Sequence, residues 1–363
     1  MPTSHGGRPL VVVLVPYAWK DDRLSSSEYD YPAFRAEVPE WFEPIGCDWV
    51  WQPVCLEGPA ETRIPSVVAR LGELARARDT IAFNLCDGAE DDGIPGLSVV
   101  LALEAAGVAF TGADGGFYRL STSKLAMKAR FVDAGIPTAA FRALEGDPRE
   151  VLEHCGRLGF PLIIKPDVSA ASLGIGLRSR VDGVDALDAE WRRLDQRHPG
   201  RAGGWFVERF VAGPEYTAFV FDRPGAPEVF TAAERLFHPA LPPEERFLTH
   251  ERYLEEFDEE SPPPAGSEYC AIGKVSPEVQ RRIEPIAAGA FRAVSGTGYA
   301  RVDLREDAAT GELFVLEVNA NCGLSFDGGS YTGQILRTHV DTMGAVIDRI
   351  LATARRRARA GVS

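Results

Sequence analysis

Short apolar runs alternate with amphipathic stretches through the first third of the chain. Residues 10–15 form a continuous apolar run rich in β-branched side chains, which is typical of a strand covered on both faces. A helical pattern at 64–77 precedes a second apolar run at 80–85, and a helical pattern at 96–106 precedes a third short strand at 108–110. This alternation predicts a parallel sheet with helices on both sides.

The pattern changes near the carboxyl terminus, where strands with a period of two are predicted. Residues 301–304 and 313–319 have this character, and the turn-forming residues at 307–311 lie between them. A short turn between two such strands predicts an antiparallel hairpin.

Charged and amide side chains share one face of this hairpin. Arg301 lies on the same face as Asp303, and Glu317 lies on the same face as Asn319. Unpaired charges among apolar residues are costly, and a cation bound to the oxygen atoms would offset that cost. A small set of oxygen ligands suits Mg²⁺, which substrate phosphates usually complete. The alternative is a salt-bridged surface, which is more frequent for an isolated acidic pair.

Composition and charge exclude several classes of protein. At 363 residues and 39.4 kDa, the chain is long enough for two or three packed units. Its 53 acidic and 39 basic residues give a net charge of −14, which argues against a broad surface for nucleic acid or an anionic membrane. The six cysteines show no C-x-x-C spacing, so neither a zinc site nor a disulfide framework is expected. The run at 10–15 is too short to span a bilayer, and a cytoplasmic protein is expected.

The polar positions of the hairpin belong to a longer motif. The sequence R-V-D at 301–303, followed by E-V-N-A-N-C-G-L-S at 317–325, resembles the metal-binding signature R-x-D and E-x-N-t-x-x-G-[ML]-[ST] of D-alanine–D-alanine ligases, a family of ATP-grasp enzymes. Residues 84–112 resemble the H-G-x-x-G-E-D-G-x-x-Q-G-x-L region of the same family, with Pro95 in place of the Gln.

The resemblance implies an ATP-grasp fold of the α/β (α+β) class. An N-terminal Rossmann-like parallel α/β domain would span 1–119, and a small central subdomain that forms the nucleotide lid would span 120–211. A C-terminal antiparallel-sheet α+β domain would span 212–363. It would include the polar, proline-rich segment at 235–273, which is expected to be a mobile loop.

The cofactors implied by the resemblance are ATP and two Mg²⁺ ions, for which Mn²⁺ can substitute. The corresponding metal ligands are Asp303, Glu317 and Asn319, with Glu317 bridging both ions. Arg301 and the backbone N–H of Gly323 stand where the family has its oxyanion hole.

Two lysines correspond to the phosphate ligands of the family. Lys124 opens a helix after S-T-S, where a solvated lysine is the alternative, and Lys128 is expected to be the solvated one. Lys165 ends an apolar strand beside a loop of small residues whose backbone N–H groups can wrap an anion. This loop resembles K-P-x-x-x-G-S-S-x-G and retains Ser172, but Ala170-Ala171 replace the Gly and the first Ser.

The segment at 205–215 resembles the adenine segment V-E-x-x-[IVL]-x-G-x-E of the family. The resemblance implies that Glu208 and the backbone of Val211 serve the base and that Glu215 serves the ribose hydroxyls. An ordinary strand–turn–strand is the alternative.

The segment FLTHERY at 247–253 resembles Y-x-Y-x-x-K-Y, with Arg252 and Tyr253 where the family has Lys-Tyr. Both residues are assigned to the catalytic set, and Arg252 can meet the γ-phosphate of ATP.

The amino-terminal region departs from the family, which has G-G-x-S-x-E-x-x-V-S at its donor site. Residues 16–28 do not match this pattern, although Glu28 is a candidate for the family Glu. The Ser that partners this Glu is replaced by Ala171, so that only Tyr253 of the Glu–Ser–Tyr set is retained.

The activity implied is phosphorylation of a small carboxylate, expected to be an amino acid, to an acylphosphate that an amine attacks. The products would be an amide or dipeptide, ADP and phosphate, in specialised metabolism. Small-molecule carboxylate and amine substrates are the expected partners, without nucleic acid or membrane, and a homodimer is compatible with this interpretation. One alternative is an authentic D-alanine–D-alanine ligase of peptidoglycan synthesis. A second is a non-catalytic nucleotide-binding regulatory protein, which would not need every metal ligand.

Overall fold

The structure, a computed structural model, describes residues 8–25, 29–88, 90, 93–169, 172, 174–200, 203–254, 267–326, 331–340 and 342–360. The amino-terminal elements are β1 (Leu10–Pro16), β2 (Ala18–Lys20), β3 (Arg23–Ser25), α1 (Pro32–Phe42), β4 (Asp48–Val54), α2 (Ile64–Ala77), β5 (Thr80–Asn84), α3 (Leu97–Ala105) and α4 (Gly115–Thr122). β1 is the central strand of a parallel sheet of order β4-β1-β5, and all of its residues are buried. The predicted parallel sheet is therefore confirmed.

The strand predicted at 108–110 does not form. The N–H of Val108 is bound to the carbonyl of Leu103 at the end of α3, and Phe110 makes only an isolated parallel bridge to Ala82. Gly112 then turns the chain with a φ of +88°, a conformation that favours glycine. The apolar run is thus too short to extend the sheet.

A second sheet follows in the chain. Its elements and the helices around it are α5 (Lys124–Asp133), β6 (Phe141–Ala143), α6 (Pro148–Gly156), β7 (Leu162–Pro166), β8 (Arg180–Val181), α7 (Val184–Arg197) and β9 (Trp205–Arg209). The sheet is antiparallel with the order β6-β9-β7-β8. Ile163 of β7 is opposite Glu208 of β9. Lys165, two residues after Ile163 on β7, therefore lies on the same face of the sheet as Glu208 and diagonal to it.

A third sheet completes the fold. Its elements and the remaining helices are β10 (Glu215–Phe221), β11 (Glu228–Val229), β12 (Ala233–Phe237), α8 (His250–Leu254), β13 (Cys270–Lys274), α9 (Pro277–Ala293), β14 (Tyr299–Glu306), β15 (Leu313–Ala320), α10 (Tyr331–Arg337) and α11 (Met343–Ala360). The strand order is β13-β12-β10-β14-β15, and β11 pairs with β10. β14 and β15 form the predicted antiparallel hairpin, in which Asp303 is opposite Glu317 and Arg301 is opposite Asn319.

The first and third sheets share an apolar core. Val13 and Phe83 of the parallel sheet belong to the same buried cluster as Phe219 and Tyr299 of the antiparallel sheet, together with Ile347 of α11. Burial of this apolar surface holds the two sheets together. As a result, the carboxyl ends of the parallel strands lie beside the end of β15. The predicted domain boundaries remain predictions.

Candidate active site

The polar face of the β14–β15 hairpin brings four predicted residues together. Arg301 donates to the Asp303 carboxylate from Nε at 3.0 and 3.2 Å and from Nη2 at 3.0 Å. Asn319 Nδ2 lies 2.9 Å from Asp303 Oδ2 and 3.2 Å from Glu317 Oε1. Thr217 on the neighbouring strand donates to Asp303 Oδ1 at 2.7 Å. Two carboxylates and one amide thus converge from adjacent strands, as the two-residue period predicted.

The donor set of this face fits a magnesium site. The described residues contain no group of three or more His, Cys, Asp or Glu side chains that could hold a metal. A protein cage for a soft or fully coordinated metal is therefore not formed by this part of the chain. Asp303 and Glu317 instead supply a few hard carboxylate oxygen atoms, and Asn319, whose Nδ2 donates to both of them, carries a further amide oxygen. Such a set suits Mg²⁺ that retains waters and is completed by phosphates.

Lys124 lies at the edge of this face. Its ammonium is 3.5 Å from Glu317 Oε2, and it donates to the backbone oxygen of Ser169 at 3.0 Å and to the Ser169 hydroxyl at 3.1 Å. Ser123 caps α5 by accepting from the Ala126 N–H, which places Lys124 in the first turn. Burial alone would raise the pKa of Glu317, but the charges of Lys124, Lys165 and Arg301 lower it below its ordinary value.

Lys165 contacts the predicted base-binding residue Glu208 rather than the hairpin carboxylates. Its ammonium lies 2.6 Å from Glu208 Oε1, and the Glu208 side chain is 2 % exposed. Burial would raise the pKa of Glu208, but Lys128 and Lys165 lower it to about 2. Val211, whose backbone was assigned to the base, is buried just beyond the end of β9.

The expectation that Lys128 is solvated is wrong. Its side chain is 1 % exposed, its ammonium pairs with Glu208 Oε2, and it donates to Thr138 Oγ1 at 2.7 Å. Fully buried lysines are rare unless they are paired. The spacing could have revealed this residue, because positions four apart lie on one face of a helix and Lys124 precedes it by four.

Glu215 lies between two arginines that sequence reasoning missed. Its carboxylate is 2.8 Å from Arg235 Nε and 3.5 Å from Arg305 Nε, each on a strand that flanks β10. Burial would raise the pKa of Glu215, but the two guanidinium groups lower it. Arg305 lies two residues after Asp303, so the period of the strand was the available signal.

The described part of the segment predicted to be a mobile loop, 235–273, contains the end of β12, α8 and the start of β13, and it packs against the same region. Arg252 has a fully buried side chain, which pairs with Glu245 at 2.8 Å and lies 4.8 Å from the ring centroid of Tyr269. The N–H of His250 donates to the carbonyl of Ile175 at 2.9 Å. Arg252 is therefore positioned against its own segment rather than against the hairpin carboxylates.

Of two other predicted site residues, Ser172 is described by the structure and the side chain of Tyr253 is not. Ser172 has a φ of +56°, and its carbonyl accepts from Ile175 at 2.9 Å in the small-residue loop. The side chain of Tyr253, as well as Ala170, Ala171 and Glu28, lies outside the described part of the chain.

The loop after β15 is tied to the amino-terminal region at several points. Asn321 Oδ1 accepts from the Ala113 N–H at 2.7 Å, and the Ser325 hydroxyl donates to Glu37 Oε2 at 2.9 Å. A Cβ placed on Gly323 would lie 3.7 Å from the Tyr29 hydroxyl. Gly323, whose N–H is the predicted oxyanion donor, therefore lies beside the amino-terminal part of the molecule.

A charged and aromatic cluster lies at the carboxyl end of β1. Asp30 accepts from the Tyr17 hydroxyl at 2.6 Å and pairs with the Arg35 guanidinium, which lies 4.4 Å from the ring centroid of Trp51. Arg35 lowers the pKa of the Asp30 carboxyl. Open α/β sheets bind ligands at such strand ends. Sequence reasoning left this cluster unassigned because the family resemblance begins only near residue 84.

Three comparisons relate the chain to known proteins. The family model "D-ala D-ala ligase C-terminus" matches residues 131–328, which is more than half of the chain. The D-alanine–D-alanine ligase of Chromohalobacter salexigens is 31 % identical over 257 residues, covering 70 % of this chain and 71 % of the relative. That of Desulforudis audaxviator is 29 % identical over 237 residues, covering 65 % and 68 %.

Solved structures agree on the fold. The Bacillus anthracis D-alanine–D-alanine ligase complexed with ATP superposes with a TM-score of 0.66 at 18 % identity, covering 98 % of this chain and 99 % of that one. The D-Ala:D-Ser ligase of Enterococcus faecalis gives a TM-score of 0.67 at 15 % identity, with 96 % and 99 % covered. No helix among the described residues is long and apolar enough to cross a membrane. The chain belongs to the D-alanine–D-alanine ligase family of ATP-grasp enzymes, which are ADP-forming carboxylate–amine ligases.

Proposed function

We propose that this protein uses ATP and Mg²⁺ to join a small carboxylic acid other than D-alanine, in the first instance an amino acid, to an amine. The acid carboxylate attacks the γ-phosphorus and releases ADP. The amine then attacks the carbonyl carbon of the acylphosphate, and phosphate leaves with the bridging oxygen. The observation that carries this proposal is the convergence of Asp303, Glu317 and Asn319 on one face, with the Lys124 ammonium 3.5 Å from Glu317.

Asp303, Glu317 and Asn319 would hold the Mg²⁺ ions, with Glu317 bridging two of them. Bound there, the ions would neutralise the charge that develops on the transferred phosphoryl group. Lys124 and Lys165 would hold the nucleotide phosphates together with the loop that contains Ser172. Glu208, Val211 and Glu215 would line the side of the site that receives the base and ribose.

Arg301 and the Gly323 N–H would stabilise the oxyanion that forms when the amine attacks. Such preorganised donors commonly supply the largest single contribution to catalysis. Arg252 and Tyr253 belong to the segment that would close over the γ-phosphate. A nucleophilic side chain is not required, because the substrate carboxylate is itself the nucleophile.

The choice of an acid other than D-alanine rests on two features. Ala171 stands where the family has the Ser that holds a donor-site carboxylate. The carboxylate of Asp30, which precedes α1, is already paired with Arg35 and hydrogen-bonded to Tyr17. A carboxylate neutralised in this way attracts the ammonium of D-alanine weakly. A site that lacks the hydrogen bond from the family Ser also selects less strongly for D-alanine over other acids.

A second candidate is D-alanine–D-alanine ligation itself, which the names of the curated relatives favour. Incubation with Mg²⁺-ATP and pairwise combinations of amino acids and amines, with products identified by mass, distinguishes the two. We expect ADP release with another acid–amine pair and negligible D-alanyl-D-alanine at millimolar D-alanine. Efficient dipeptide formation from D-alanine alone would favour the second candidate.

A further inference from the structure

Three charged side chains form a buried row beside β9. Glu208 accepts from Lys165 at 2.6 Å through Oε1 and pairs with Lys128 through Oε2. The side chains of Lys128 and Glu208 are 1 % and 2 % exposed, whereas that of Lys165 is 15 % exposed. Lys165 is therefore the member of the row that can reach a ligand.

The Lys128 ammonium is fixed from several directions. It donates to Thr138 Oγ1 at 2.7 Å and lies 5.5 Å from the ring centroid of Phe141. Thr138 donates onward to the carbonyl of Val315 at 2.9 Å, two residues before Glu317 on β15. The position of Lys128 is thus linked to the strand that carries the hairpin carboxylate.

The charge balance of the row has a direct consequence for Lys165. Two ammonium groups and one carboxylate leave one positive charge in excess. If Lys128 were absent, Lys165 alone would have to balance the buried Glu208 charge, because an unpaired buried carboxylate is costly. With Lys128 in place, Glu208 is already neutralised and can orient Lys165 while the charge of Lys165 remains available to an anion.

We propose that Lys128 is a positioning residue of the nucleotide site, which fixes the Glu208 carboxylate so that Glu208 holds Lys165 ready for the phosphates of ATP. The proposal rests on the proposed function for the location of the nucleotide. It also changes the role of Glu208, whose carboxylate serves as the anchor of Lys165 instead of as the acceptor of the adenine amino group.

The first test is the affinity for Mg²⁺-ATP of Lys128→Met, measured by titration calorimetry on the full chain. We expect Kd and the KM for ATP to rise about tenfold or more, while the KM values of acid and amine stay within about twofold. Arg130→Met, which removes an exposed cation from the same helix, serves as the matched control. An unchanged Kd for ATP in folded Lys128→Met would overturn the proposal.

A double-mutant cycle with Lys165→Met tests whether Lys128 acts through Lys165. We expect Lys128→Met to weaken ATP binding by less than about twofold further in the Lys165→Met background, because coupled residues are not additive. Fully additive losses would contradict a positioning role. The cycle measures binding and does not require turnover, so it remains informative if no acid–amine pair is active. If the wild type does not bind Mg²⁺-ATP, the proposed function itself fails.

If Lys128→Met alone fails to fold, the double variant Lys128→Met/Glu208→Gln provides the test. Removing both charges restores the charge balance of the core, so we expect the melting temperature to recover while ATP binding stays weakened. Recovery of both would assign Lys128 to charge compensation only and overturn the proposal.

Discussion

Glu317 links the polar face of the hairpin to Lys124, a predicted phosphate ligand. Its carboxylate is 3.5 Å from the Lys124 ammonium and 3.2 Å from Asn319 Nδ2, and it stands opposite Asp303 in the hairpin. The side chain is half-buried, and the cations around it lower its pKa, so it is ionised at neutral pH. An ionised, oriented carboxylate at this point is what a bridging metal ligand requires.

Glu317→Gln keeps the shape of this side chain and removes its charge. We expect kcat to fall at least ~10²-fold, about 2.7 kcal/mol, as when other single electrostatic groups are removed from active sites. Steady-state ADP release measures the effect. Glu312→Gln, at an exposed position before β15, is the control and should retain normal turnover. Near-normal substrate-dependent ADP release by Glu317→Gln would exclude the metal role.

The lowered pKa of Glu208 predicts that the free energy of unfolding decreases at acidic pH. Its pKa is lowered from 4.5 to about 2 in the folded protein, because the two lysines outweigh the effect of burial. The unfolded chain takes up the proton near its ordinary pKa, so the stabilisation is complete above that value and is lost as pH falls towards 2.

Urea unfolding of the wild type and Glu208→Gln at pH 7 and pH 3 measures this dependence. We expect the wild type to exceed the variant in free energy of unfolding by a larger margin at pH 7 than at pH 3. An equal margin at both pH values would show that Glu208 does not titrate in this window.

Sequence alone predicted the hairpin residues but not their buried neighbours. The two-residue period of a strand is a local property, so Asp303 and Glu317 could be placed on one face from the sequence. The burial of Lys128 depends on Thr138 and Glu208, which belong to other parts of the chain. The spacing of four from Lys124 places Lys128 on the same helix face, but it does not show which side chains bury and neutralise its charge.

At the scale of elements, the turn before α4 supports the loop after β15. Gly112 has a φ of +88°, and the next N–H, that of Ala113, donates to Asn321 Oδ1 at 2.7 Å. Asn321 itself has a φ of +51° and lies two residues before Gly323. The conformation of the predicted oxyanion loop therefore depends on a turn roughly two hundred residues earlier in the chain, as the separation of 208 between Ala113 and Asn321 shows.

Gly112→Ala tests this dependence. The added Cβ would lie 2.1 Å from Asn321 Oδ1, and alanine at this φ is strained. We expect the free energy of unfolding to fall by about 1–3 kcal/mol, together with a lower kcat, because Asn321 must shift. Gly46→Ala, at a φ of +70° with nothing within 4 Å, isolates the backbone strain. Equal kcat losses in both variants, or none in Gly112→Ala, would contradict the link.

The elements also show where sequence patterns fail. The β14–β15 hairpin was predicted because its signals are local, but its register shifts between Asp303 and Leu304. The strand predicted at 108–110 is reduced to the Ala82–Phe110 bridge, because the N–H of Asn84 donates to the Thr111 side-chain hydroxyl instead of extending the backbone ladder, and Gly112 then turns the chain. Competition for a hydrogen-bond partner is not visible in a hydrophobic pattern.

At the scale of the whole molecule, α11 packs against both the first and the third sheet. Arg357 donates to the carbonyls of Gly112 at 2.6 Å and Phe110 at 2.8 Å, and Arg355 pairs with Asp79 at 3.2 Å. From the sequence, the three consecutive arginines at 355–357 predict only a favourable helix end. Its contacts reach the turn that supports Asn321, so the terminal helix contributes to the geometry of the site. The family resemblance predicted the ATP-grasp fold, whereas such long-range contacts required the structure.

The central claim is that a carboxylate is activated as an acylphosphate at the Asp303–Glu317–Asn319 face. The most direct measurement uses the acid that supports ADP release, labelled with ¹⁸O in both carboxylate oxygens, together with its amine and Mg²⁺-ATP. Mass analysis of the products should find one ¹⁸O in each phosphate released, with ADP and amide formed in equal amounts. Unlabelled phosphate, or label in AMP accompanied by pyrophosphate, would contradict the account.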